Sequence, residues 1–103
     1  MTDVKQSISE YLHKTNGYKN TIHQCEVNYA EETYRLKRVL HKHLKLHPLD
    51  SLVIWYGAIV EIVVEKITPG LVERVKELGR EYTVTDGVKI EINLNKKIYE
   101  DLI

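Results

Sequence analysis

The sequence predicts an α+β fold. Two N-terminal helices, the second one long, precede a β-β-α-β-β series, and a small, mostly antiparallel sheet is covered by helices on one face. Three observations carry this expectation. Apolar residues before Pro48 recur at helical spacing, apolar residues after it alternate or crowd into β-branched runs, and Asp86-Gly87 marks a tight hairpin. With 103 residues the chain fits one domain spanning 1–103.

Helix one is expected at about 3–15. Asp3 and Gln6 have capping-box spacing, Val4, Ile8, Tyr11 and Leu12 form one stripe, and Asn16-Gly17 supplies a stop. Helix two is expected at about 20–46, where Ile22, Cys25, Tyr29, Leu36, Val39, Leu40 and Leu44 share a side and Pro48 ends the run. At 1.5 Å per residue it would reach roughly 40 Å, longer than a domain this small can cover, so a partner helix from a second copy is expected. The alternative is a bend near Asn28.

Residues 52–67 fit two readings. As a helix, Gly57, Glu61 and Glu65 make a narrow polar stripe. As strands, Leu52–Tyr56 folds back on Ile59–Ile67 across Gly57-Ala58, and eight of the sixteen residues are β-branched, which favours the strands. Thr68-Pro69 is an N-cap followed by proline at the first helical position, opening a third helix at about 69–78 with Leu71, Val75 and Leu78 inward. Tyr82 and Val84 alternate before Asp86-Gly87, and Val88, Ile90 and Ile92 alternate after it. Asn93–Lys97 reads as a turn, and 97–103 as a helical turn or an extended tail. The β-α-β-β order after Pro48 is similar to half of a ferredoxin-like fold, a likeness of topology that implies no function.

Composition narrows the function classes. Fifteen Lys plus Arg balance fifteen Asp plus Glu, which argues against a general polyanion binder. A single cysteine, Cys25, cannot form an internal disulfide or anchor a Cys-rich zinc site. Phosphate-loop, dinucleotide, Gly-x-Ser-x-Gly and His-Glu-x-x-His patterns are all missing. No secretory h-region stands at the N-terminus, and the apolar run Leu52–Val64 is too short and too charged to span a membrane. No cofactor, no metal and no membrane partner are expected, and the cytoplasm is the expected location.

The charge is unevenly spread. Residues 1–34 carry three bases and five acids, 35–47 carry five bases and no acid, and 48–103 carry seven bases and ten acids. Arg35, Lys37, Arg38, Lys42 and Lys45 make the basic segment, with His41, His43 and His47 among them. Three explanations compete: cations complementing a helix C-terminus, an anionic partner such as nucleic acid or an acidic protein, or the chain's own acidic β half. His43 and His47, four apart, have the spacing of a metal-ligand pair but no third ligand at motif spacing. Three histidines in seven residues would add charge to the patch below pH ~6.5. Cys25 reads as a small buried hydrophobe, and Glu61 with Glu65 as an exposed polar stripe rather than an acid–base pair. Trp55 and Tyr56 read as core, or as a partner anchor if their strand lies at an edge.

Together these features point to a small, non-enzymatic interaction or regulatory protein of the kind a virus or mobile element would use. It would act as a homo-oligomer through its long helix and sheet edge, with Tyr29, Leu36 and Trp55 as contacts. The alternative is a nucleic-acid-binding protein using the basic segment 35–47.

Overall fold

The structure, a computed structural model, describes residues 4–18, 24–55 and 58–98, with side chains over 4–15, 30–55 and 58–98. Three helices, α1 (Val4–Tyr18), α2 (Gln24–His43) and α3 (Pro69–Lys76), accompany four strands, β1 (Ser51–Trp55), β2 (Ile59–Val63), β3 (Arg80–Thr85) and β4 (Lys89–Lys97). The order matches the α+β expectation. Every strand pair is antiparallel, and the sheet runs β1-β2-β4-β3. β2 and β3 are thus parallel to each other, with β4 inserted between them and α3 connecting them.

One core lies between the helices and one sheet face. Val60, Ile62, Ile90, Ile92 and Leu94 supply the sheet side, and Ile8, Leu40, Leu44, Val75 and Leu78 the helix side. The period-two alternation of β2 and β4 puts every second residue into this core. α1 runs antiparallel to α2: Tyr11 Oη lies 3.2 Å from Thr33 Oγ1, and Lys14 Nζ lies 3.7 Å from Glu32 Oε1. The buried Thr15 hydroxyl donates to the Tyr11 carbonyl at 2.7 Å, so it carries no unmet polar demand.

Several boundaries differ from expectation. α1 continues through Asn16-Gly17 to Tyr18, so the ~1 kcal/mol a helical glycine costs does not end it. The Asp3 half of the capping box lies outside the described residues, and Gln6 Nε2 donates forward to Glu10 Oε1 at 3.3 Å. α2 passes Asn28 without a break, and its described 20 residues span about 30 Å. It ends before Pro48 can act. Lys45 adopts φ 53°, Leu46 N–H donates to His41 O at 3.1 Å, and Lys45 N–H donates to Lys42 O at 3.2 Å. This is a Schellman end with lysine where glycine usually stands.

The ambiguous run 52–67 is a hairpin, as its β-branched content indicated, although Tyr56 and Gly57 lie outside the described residues. β2 ends at Val63, but Val64 N–H still donates to Val88 O at 2.8 Å and Ile67 N–H to Gly87 O at 2.9 Å. Thr68 caps α3, its hydroxyl accepting Leu71 N–H at 3.2 Å. Asp86 and Gly87 both have positive φ, the geometry of a type I′ turn, closed by Val88 N–H to Thr85 O at 3.2 Å. Asn93–Lys97 is not a turn. It completes β4: Asn93 pairs with both Ile59 and Glu81, Leu94 N–H donates to Ala58 O at 2.8 Å while its side chain extends the buried alternation, and Lys97 resumes pairing with Arg80. The reading of 97–103 falls mostly outside the described residues.

Candidate functional site

Among the described residues, helices cover one sheet face and leave the other open. Alternation and register assign the open face: Ser51, Val53 and Trp55 from β1, Ile59, Glu61 and Val63 from β2, Lys89, Glu91 and Asn93 from β4, and Glu81, Thr83 and Thr85 from β3. The face is graded. Its β1–β2 half is apolar, with Trp55 48% and Val63 37% exposed and Trp55 paired with Ile59. Its β4–β3 half is polar.

A charged seam divides the halves. Glu61 and Glu91 stand directly opposite each other, a like-charge pair that would repel. Lys89 Nζ reaches Glu91 Oε1 at 3.1 Å and Glu61 Oε2 at 3.6 Å. The Glu91 hydrogen bond, then the nearby Glu61 charge, hold the Lys89 ammonium above its usual 10.5. Glu61 therefore belongs to this seam, whereas Glu65 lies exposed beyond the end of β2, and the two do not form a carboxylate pair.

β1 is an edge strand. It has no charge and no proline, and both of its core-facing residues, Leu52 and Ile54, stay half-buried. Its outer backbone groups face no strand among the described residues.

The second candidate surface is the solvent side of α2. Arg35, Arg38 and Lys42 lie there together, all exposed, at spacings of three and four. Arg35 contacts Glu32 at 3.4 Å, and the Arg38 guanidinium sits 5.9 Å from the Tyr34 ring centroid. Lys37 is turned partly toward the packed side, and Lys45 lies past the helix end. The predicted five-residue patch is therefore a three-residue face with two outliers.

The three oligomer-contact candidates separate. Trp55 is on the open face. Leu36 is 3% exposed and packs in the chain's own core, so it belongs to no outer contact surface. Tyr29 lies outside the residues whose side chains are described, as does Cys25. Because α1 and the sheet shelter the described inner side of α2, the length of that helix no longer calls for a partner helix along it.

His43 and His47 do not share a helix face, because α2 ends between them. His43 Nε2 lies 3.2 Å from Arg74 O and 3.3 Å from Glu77 Oε2, tying the end of α2 to α3. Among the described residues, no group of three or more His, Cys, Asp or Glu could hold a metal ion, and no helix is long and apolar enough to cross a membrane. No protein-family model, curated protein or solved structure matches the chain.

Proposed function

We propose that this chain is a non-enzymatic interaction protein that assembles with a second copy of itself through the β1 edge and the apolar half of the open sheet face. The observation that carries the reading is the coincidence of two features in one strand. β1 is an uncharged edge, and it bears the most exposed aromatic side chain of the sheet, Trp55. Sheet edges of this kind template pairing with another chain unless charge, proline or a bulge blocks them.

Self-pairing suits the residues. An antiparallel β1–β1 contact about a two-fold axis at Val53 places Leu52 opposite Ile54 of the second copy and Ser51 opposite Trp55. The partly open core at Leu52 and Ile54 is then closed by its own equivalent, and each Trp55 meets a small serine. Such an isologous contact needs no second protein, and it would fuse two four-stranded sheets into one. Equilibrium sedimentation at micromolar concentration tests it. Twice the chain mass is expected, and a monomer at that concentration overturns the reading.

A second reading rests on the α2 face. Arg35, Arg38 and Lys42 project together away from the core, and a row of cations on one helix side suits the phosphate backbone of nucleic acid. The expected affinity falls steeply with salt, and Arg38→Glu with Lys42→Glu abolishes it. Failure of both a duplex and a single strand to bind at low salt would eliminate this reading.

A further inference from the structure

We infer that the recess between the end of α2 and the start of α3 is a phosphate-binding site. The inference is independent of self-association through β1. The recess measures about 440 Å³, and three permanent cations line it from three separate segments: Lys45 after α2, Lys66 before α3, and Arg74 within α3. Two lining carboxylates, Asp50 and Glu65, oppose those three cations, so the recess keeps a net positive formal charge. Asp50 is partly committed, since its Oδ2 accepts His47 N–H at 2.8 Å.

The remaining polar groups are donors. His47 lines the recess, and its Nδ1 accepts Leu49 N–H at 3.1 Å, which leaves the ring proton on Nε2. The Thr68 hydroxyl accepts from Leu71 and retains its own proton to give. Arg74 Nε donates to Leu44 O at 2.9 Å, which anchors the guanidinium against the end of α2, and its other N–H groups remain donors. Several cations and neutral donors approaching from different directions fit a tetrahedral oxyanion better than a planar carboxylate.

Lys45 is the informative residue. Its left-handed φ of 53° is a conformation that glycine or asparagine adopts at lower cost. A cation nevertheless occupies it, at a position that lines the recess. Complementing the α2 dipole would also favour a lysine there, and the two roles separate experimentally.

The isotope-labelled full chain is titrated at low ionic strength with pyrophosphate and, separately, with a short single-stranded oligonucleotide, following the amides of residues 45–47, 66–68, 70 and 71. Saturable shifts confined to those amides are expected. Lys45→Gly should raise the thermal midpoint by about 4 °C while weakening pyrophosphate binding about tenfold or more. Lys66→Gln should weaken binding with the midpoint unchanged. Shifts with pyrophosphate alone identify a small phosphorylated compound as the source of the phosphate. Saturation of the same amides by the oligonucleotide, with strong salt dependence, identifies a nucleic-acid backbone. The inference is overturned if neither probe gives saturable shifts, if the shifts centre on Arg35, Arg38 and Lys42, or if both variants bind as tightly as the unaltered chain.

Discussion

The two edges of the sheet solve the same problem in opposite ways. β3 turns Glu81, Thr83 and Thr85 to the open face, and its pairing with β4 shifts register between Arg80 and Glu81. A charged side chain on an edge strand hinders the addition of another strand, and the shift, whose extra residues 94–96 lie in β4, interrupts the ladder beside the start of β3. β1 turns Ser51, Val53 and Trp55 to the same face, is regularly paired from Ser51 to Trp55, and carries no charge. Both edges leave apolar surface showing, since Val84 on β3 is 47% exposed and Trp55 on β1 is 48% exposed. Exposure of a single side chain therefore does not distinguish them. The difference lies in the face each occupies: Val84 pairs with Ile90 on the helix-covered side, whereas Trp55 stands on the open side beside Ile59, on a regularly paired edge.

The largest expected effect comes from giving β1 the protection β3 already has. Val53→Lys would place two ammonium groups opposite each other across the two-fold axis. Like-charge juxtaposition of this kind costs several kcal/mol, so the dimer constant should weaken by more than ~100-fold. Val53 is half-buried on a sheet surface, and the monomer's own stability should change by only about 1 kcal/mol. Thr83→Lys, the same change on the polar edge, should leave the assembly mass as it is. Sedimentation of both variants, with circular dichroism to confirm folding, checks the pair. A dimer that survives Val53→Lys, or that dissociates on Thr83→Lys, places the contact elsewhere.

A smaller loss is expected when the strand is kept neutral and only its aromatic anchor is removed. Trp55→Ala should weaken association by about 2 kcal/mol, or roughly 30-fold, as truncation of an aromatic interface anchor does. A labelled-chain dilution series measures that shift. An unchanged constant would show that Trp55 contributes area without energy and that the backbone edge alone holds the copies together.

Which edge is exposed could not be read from the residues alone, because strand order is a long-range property. Local chemistry was legible: Thr68-Pro69 caps α3, Asp86-Gly87 turns the second hairpin, and the β-branched content of 52–67 marks strands. Asn93–Lys97 misled for the complementary reason. Its asparagines suggest a turn, and Asn93 Oδ1 does accept Asn95 N–H at 3.0 Å where the register with β3 jumps, but the two-sided pairing of Asn93 and the burial of Leu94 keep the segment in the strand. Leu36 illustrates the same limit. An apolar helix stripe has one pattern whether a partner or the chain's own core covers it, and here the chain's own core does. Lys45 carried no warning either, since its left-handed turn is imposed by the chain passing from α2 to β1 rather than by its own preference.

The smallest expected effect sits on the seam between the two halves of the open face. Lys89 holds apart two glutamates that register places directly opposite. The Glu91 hydrogen bond and the Glu61 charge raise its folded-state value above the usual 10.5, so the folded protein binds this proton more tightly than the unfolded chain does. The resulting stabilisation is complete below about 10.5 and is lost as pH rises through the higher folded value. A denaturant midpoint measured across that alkaline window should fall, and Lys89→Gln should remove the part of the fall that belongs to this seam. Because Lys89 is partly exposed, salt should also shrink that part. If the variant and the unaltered chain lose stability in parallel, the seam separates polar from apolar surface without stabilising the sheet, and the contrast between the two edges then rests on β1 and β3 alone.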